Sequence, residues 1–297
     1  MSDTASRRSP VELPTLTVAA AVYGGWLAAT FWHAALPTPL LALIGAWLIA
    51  WQSSLQHETI HGHPSRWRWL NTVIGFPPLA LWLPYALYRR SHIAHHRSPS
   101  ITDPAHDPES RYVARAGGAA AAIARLQASL LGRLLLGPPL AVATLLVDEV
   151  RRARRSPGAV ARDWLPHLAG VAAVVAWLAW THFDIARYIL VFVYPGMALT
   201  LLRSFAEHRA DFDVPGRAAT VARGGVLGLL YLNNNLHAAH HDRPELAWYR
   251  LPAHHRRHRA RLTDGVPVYP GYAAIVARFL FRRHHVLVHP AQRGVLP

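Results

Sequence analysis

Two apolar runs, roughly Leu16 to Leu36 and Thr38 to Gln56, follow one another with only the uncharged turn Leu36-Pro37-Thr38-Pro39 between them. Each is near the ~20 residues an α-helix needs to cross a ~30 Å hydrocarbon core. Backbone polar groups in lipid must be satisfied within the segment, so runs of this kind are helices. A link this short leaves only an antiparallel hairpin. A second pair, Trp164 to Trp180 and Ala186 to Leu202, is joined by Thr181-His182-Phe183-Asp184-Ile185. The expected fold class is an all-α integral membrane protein, with about four transmembrane helices in two hairpins and a cytosolic helical cap.

Composition supports this. Of 297 residues, 52% are hydrophobic and 16% charged, against about 25% charged in soluble domains. The formal net charge is +15, and all 31 basic residues are arginine. They cluster at Arg66 to Arg68, Arg89 to Arg97 and Arg151 to Arg155, outside both hairpin turns. The positive-inside rule then puts both termini in the cytoplasm, at a bacterial inner membrane. The expected divisions are a cytosolic N-terminal tail (1–14), a membrane domain with its cap (15–250) and a basic cytosolic tail (251–297) lying on anionic headgroups. Between the hairpins, Val73 to Tyr88 is broken by three prolines and reads as interfacial. Ala114 to Val150 reads as amphipathic and membrane-associated, with a spanning segment as the alternative.

The chain has no cysteine. Disulfides, zinc ribbons, thiolate nucleophiles and cysteine-ligated clusters are excluded, and any metal must be held by nitrogen and oxygen. Three histidine clusters supply nitrogen: His57 and His61; His92, His95 and His96; His237, His240 and His241. Spacings of three and four put these rings on one helix face. If the second span runs on to His61, it is about 24 residues or ~36 Å long, and its last turn emerges beyond the hydrocarbon. The fourth span, run on to His208, is about 23 residues and ends level with it. Eight or nine imidazoles are too many for one tetrahedral zinc and suit two metals with four or five ligands each. Di-iron is the natural candidate.

The order HxxxH, HxxHH, HxxHH, with two boxes after the first hairpin and one after the second, resembles the membrane fatty acid desaturase and hydroxylase superfamily. The match runs residue by residue through His57/His61, His92/His95/His96 and His237/His240/His241. The resemblance implies a cytoplasm-facing centre of two Fe ions, with O2 as co-substrate and electrons from an external donor, that oxidises an unactivated C–H bond of an acyl chain. Acyl-CoA desaturases of this superfamily have four residues between the histidines of the first box; the three here are more like acyl-lipid desaturases and alkane hydroxylases. Members related to acyl-CoA desaturases also use a further histidine preceded four residues earlier by an asparagine. His208 fits that histidine, and Ser204 stands at the asparagine position.

Ligating histidines need their other ring nitrogen hydrogen-bonded. Glu58, Asp103, Asp107, Glu109, Glu207, Asn233, Asn234, Asn235 and Asp242 lie beside the clusters as candidate orienters, each with a cap or solvated charge as its plain alternative. His33, His167 and His182 sit alone near span ends and read as packing residues. His63 is off the box face, and His254, His255 and His258 read as a solvated basic face. His57-Glu58-xx-His61 also matches the zinc-protease motif, which leaves six box histidines without a purpose. A metal transporter would carry ionisable groups within the spans. There is no Gly-rich dinucleotide fingerprint, so electrons are expected from a separate protein of ferredoxin, rubredoxin or cytochrome type, steered by the arginines. The other partners expected are membrane lipid and an acyl or small-molecule substrate, with no nucleic acid. Desaturation is favoured over hydroxylation.

Overall fold

A computed structural model of the chain describes residues 11–210 and 218–292. Most of the expected N-terminal tail and the last five residues of the C-terminal one lie outside the described residues. Helices α1 (Leu13–Phe31) and α2 (Thr38–Ile60) form the first hairpin, each with a proline in its first turn, where the missing N–H costs nothing. His61 caps α2, and Gly62 follows at φ 95°, a left-handed position that ends helices and favours glycine. After α3 (Arg68–Gly75), α4 (Tyr85–Arg97) starts directly behind Pro84 and carries the second box. Then come α5 (Gly118–Leu126), α6 (Leu130–Arg155), α7 (Pro157–Trp180) and α8 (Ile185–Phe205).

The two hairpin turns meet at one end of the bundle. His33 Nε2 lies 3.1 Å from the Thr181 carbonyl, and its ring stacks on Phe183 at 4.3 Å. Trp26 donates to the Tyr188 hydroxyl (2.9 Å), which donates to the Leu79 carbonyl (2.7 Å). Close approach of α2 and α8 depends on two glycines. A Cβ at Gly45 would enter the Phe192 ring, and one at Gly196 would enter the side chain of Ile49. Small residues of this kind let helices pack tightly where water provides no driving force. A π-turn at Ile189–Val193 interrupts α8 at this contact.

Among the described residues, five helices are long and apolar enough to cross a membrane: α1, α2, α6, α7 and α8. Both ends of α6 nevertheless lie on the side where α2 and α8 end. Leu130 at its start packs in the cluster of Leu202 and Phe205, the last turn of α8. Arg152 near its end pairs with Asp163 at 2.7 Å, and Asp163 pairs with Arg90 of α4 at 2.8 Å. Both ends of α6 therefore contact elements that carry or adjoin the histidine boxes.

The cap adds β1 (Thr220–Arg223), α9 (Val226–Leu230), α10 (His237–Asp242), α11 (Leu251–Leu262), β2 (Val268–Gly271) and α12 (Tyr272–Phe279). The two strands pair in parallel, Thr220 with Val268 and Arg223 with Gly271. Through residue 292 the C-terminal stretch packs against the rest of the cap. Tyr272, Ile275 and Phe279 form one apolar face against Phe205 and Tyr231, a period hidden among the arginines. The chain then docks further, with His284 N–H donating to the Ala128 carbonyl at 3.0 Å and Val113 N–H to Leu287 at 2.9 Å.

Candidate metal centre

The last turn of α2 brings His57 and His61 to the cap, and α4 and α10 each bring three more imidazoles. His208 lies three residues past the end of α8, in a turn held by a bridge to Ala218. All nine predicted histidines come together, and they sort into two groups. His57, His61, His92, His96 and His240 form one; His95, His208, His237 and His241 form the other. Within each group the ligand atoms all lie within 4.8 Å of one another.

The boxes do not map onto the groups. α4 gives His92 and His96 to one group and His95 to the other; α10 gives His240 to the first and His237 and His241 to the second. On a helix, residues i and i+4 stack on one side while i+3 is rotated away, so an HxxHH box feeds two neighbouring sites.

The rings meet through Nε2. These atoms are 2.9 Å apart for His61 and His92, 3.1 Å for His92 and His96, and 3.1 Å for His96 and His240. In the second group they are 2.9 Å apart for His208 and His237, 3.1 Å for His237 and His241, and 3.3 Å for His95 and His241. Two ligands about 2.1 Å from one metal, at angles between 90° and tetrahedral, sit roughly 3.0–3.4 Å apart. The Nε2 of His57 is buried without a hydrogen-bond partner. That arrangement fits ligands around a shared cation.

Three of the opposite ring nitrogens are held by hydrogen bonds. His95 Nδ1 lies 2.8 Å from Asp107 Oδ1, His92 Nδ1 3.3 Å from Glu109, and His237 Nδ1 3.0 Å from Asn234 Oδ1. His57 Nδ1 is 3.8 Å from Glu58. Asn234 in turn donates to Glu207 (3.3 Å), which pairs with Arg203 (2.8 Å). Each acceptor keeps the proton on Nδ1 and leaves the Nε2 lone pair facing inward.

Electrostatics agrees with the ligating form. Burial, and then the neighbouring imidazoles, push His61, His237, His240 and His241 well below the usual histidine value, and His96 to about 3. His95 alone is raised: burial lowers it, but the Asp107 hydrogen bond and Glu109 outweigh that. Glu109 is held below the carboxylate range: burial raises it, but its interactions with the neighbouring His92, His95 and Arg111 side chains outweigh that.

Other expected orienters lie elsewhere. Asp103 pairs with His106 (3.2 Å), Asn233 donates to the Trp248 carbonyl (3.1 Å) and Asn235 to that of Val221 (2.8 Å). Asp242 pairs with His254 and Arg261, both at 2.7 Å. The Ser204 hydroxyl turns back to the Leu201 carbonyl (3.3 Å). His63 is bonded to Glu12 at 2.8 Å, away from the cluster, and His167 to the Leu81 carbonyl at 3.1 Å. Glu58 accepts from the Trp248 backbone (3.2 Å) and faces the Nδ1 side of His57, so it is not aimed where a zinc protease needs its general base.

A cavity of about 360 Å³ runs beside the cluster between α2, α4, α6 and α8. Pro78, Leu81, Leu83, Leu145 and Met197 give it an apolar wall, and Tyr88, Glu109, Arg203 and Glu207 line its polar parts. Tyr88 and Arg203 carried no signal in the sequence beyond Tyr88 lying four residues before His92. A family model described as fatty acid desaturase matches residues 29–273. Comparison with curated proteins finds no match.

Proposed function

The chain belongs to the fatty acid desaturase family, and we propose that it is a di-iron, O2-dependent oxidase that desaturates a fatty acyl chain. It is a membrane oxidoreductase of desaturase or hydroxylase type, with histidine clusters that fit metal binding. The observation carrying the finer reading is the division of nine imidazoles into neighbouring groups of five and four. One iron would be held by His57, His61, His92, His96 and His240, the other by His95, His208, His237 and His241. Bound there, the pair supplies the O2 activation and electron transfer that removal of hydrogen from an unactivated carbon requires. Overall, –CH2–CH2– with O2, two electrons and two protons becomes –CH=CH– with two waters.

The chain's own contribution is positional. Asp107, Glu109 and Asn234 hold the Nδ1 protons of His95, His92 and His237, fixing ring orientation. The apolar cavity holds the acyl chain straight and dry, and a chain aligned within a few tenths of an ångström has its reacting hydrogens already placed. Hydroxylation of an acyl chain or small metabolite begins with the same hydrogen removal and is the second reading.

The substrate would be lipid-, CoA- or carrier-linked, or free. Electrons would come from a separate protein docked on the arginine-rich cap, at the cytoplasmic face of an inner membrane. Within Arg151–Arg155 two residues are already paired, Arg151 with Asp148 and Arg152 with Glu149, so steering rests more on the rest of the cap. The test is to express the chain and its His240→Ala variant, count iron and compare lipid profiles with and without O2. About two irons per chain and a new O2-dependent double bond are expected; activity with one zinc and no iron overturns the proposal.

A further inference from the structure

Arg133, in the first turns of α6, is 5% exposed. Its side chain donates no hydrogen bond to any described residue, and its Nε is buried without a partner. Among the described residues the groups acting on it from nearby are another cation, Arg111, and the imidazoles of His284 and His285, none of them an anion. A guanidinium does not lose its proton in a protein, and burying it unpaired is expensive.

The side chain forms part of the wall of a second, smaller cavity of about 40 Å³, shared with Arg111, Tyr112, His208 and His285. This cavity adjoins the acyl cavity through Glu109, Ser110, Arg111, Ser204 and Glu207, which line both. The acids on its wall are already engaged: Asp107 with His95, Glu109 with His92, Glu207 with Arg203. None of them pairs with Arg133.

We infer that Arg133, with Arg111 at the rim, binds the carboxylate of an unesterified acyl substrate whose chain fills the larger cavity. This rests on the acyl-oxidase reading and narrows its substrate. Size decides between anions. The smaller cavity, about 40 Å³ against about 360 Å³ for the larger, is matched to a compact anionic head beside a long apolar chain.

The test is equilibrium binding to the full-length, iron-loaded protein in nanodiscs, without reductant so that nothing turns over. The probes are decanoic to octadecanoic acid, each against its methyl ester, with phosphatidic acid as the phosphate-bearing alternative. The acids should bind at least about tenfold more tightly than the esters, as loss of a buried charge-assisted hydrogen bond predicts. Arg133→Gln should erase that preference, and Arg111→Gln should reduce it. Equal binding of acid and ester by the unaltered protein overturns the inference, even if Arg133→Gln fails to fold. Binding of phosphatidic acid as tight as the free acid's overturns the assignment to a carboxylate. Iron content and O2-dependent product, measured on the same preparation, report separately on the oxidase reading. Turnover of an ester-linked chain with no preference for acid sinks this inference alone.

Discussion

His95 Nδ1 lies 2.8 Å from Asp107 Oδ1, with both side chains enclosed. The same carboxylate accepts from the backbone N–H of Thr102 (2.8 Å) and of Glu109 (2.9 Å). One acid therefore orients a histidine of the second group and folds the loop that brings Glu109 to His92 of the first. Asp107→Ala should weaken iron binding at both groups by about 10–100-fold, read by chelator competition. Retention of both irons at unchanged affinity would show that the loop is held by other contacts.

Box and non-box histidines should separate cleanly. His95→Ala or His240→Ala should lower iron content and abolish activity, with the membrane helices intact by circular dichroism. His63→Ala and His255→Ala should keep both irons. Loss of the 2.8 Å contact from His63 to Glu12 should cost only about 1 kcal/mol of stability, read by thermal unfolding.

Gly196 faces Ile49 across the α2–α8 contact. Gly196→Val should overpack it, destabilising the protein by about 1–3 kcal/mol. Because these helices carry His57, His61 and His208, iron should be lost before the fold is. Unaltered thermal stability and iron content would mean that the helices separate without moving the cap.

Asp242 ties α10 to α11. Hydrogen bonding to Arg261 lowers its carboxyl to about 2, with help from His254 and against some burial. A depressed carboxylate stabilises the fold above the unfolded value of about 3.9 and loses that contribution as pH falls through the folded one. Metal-free Asp242→Asn should be less stable than its parent near neutral pH by up to about 1 kcal/mol, since the pair is partly solvated. The difference should vanish as pH approaches 2, in acid unfolding followed by fluorescence.

Ala141 of α6 lines the acyl cavity. Ala141→Phe should shorten the chains accepted, shifting the products without changing iron content. An unchanged product distribution would put the acyl chain elsewhere.

Much of the centre was legible in one dimension because its parts are local. A box is one helical turn, and its spacing records which rings share a face. His208 is reached in two ways, by the length of a helix run on to the level of His61 and by the further histidine that the family resemblance implies. Asp107 and Asn234 could be named as neighbours but not told apart from Asp103, Asn233 and Asp242, since proximity in sequence says nothing of which way a loop turns. In the C-terminal region arginines dominate the composition, while Tyr272, Ile275 and Phe279 do the packing, a contact that composition does not disclose.

By itself the sequence determined the helical membrane fold, from hydrophobic length, the absence of cysteine ligands, from composition, and the box histidines, from periods of three and four. Tertiary structure alone decided how the nine divide. His92, His95 and His96 share one turn, yet they serve two groups, because the partners converging on each ring come from α2, α10 and the end of α8. It also decided that the apolar runs of Leu16 to Leu36 and Thr38 to Gln56 do more than anchor the chain. Packing of α1 and α2 against α8, made close by Gly45 and Gly196, holds the ends of separate helices together, where their imidazoles meet.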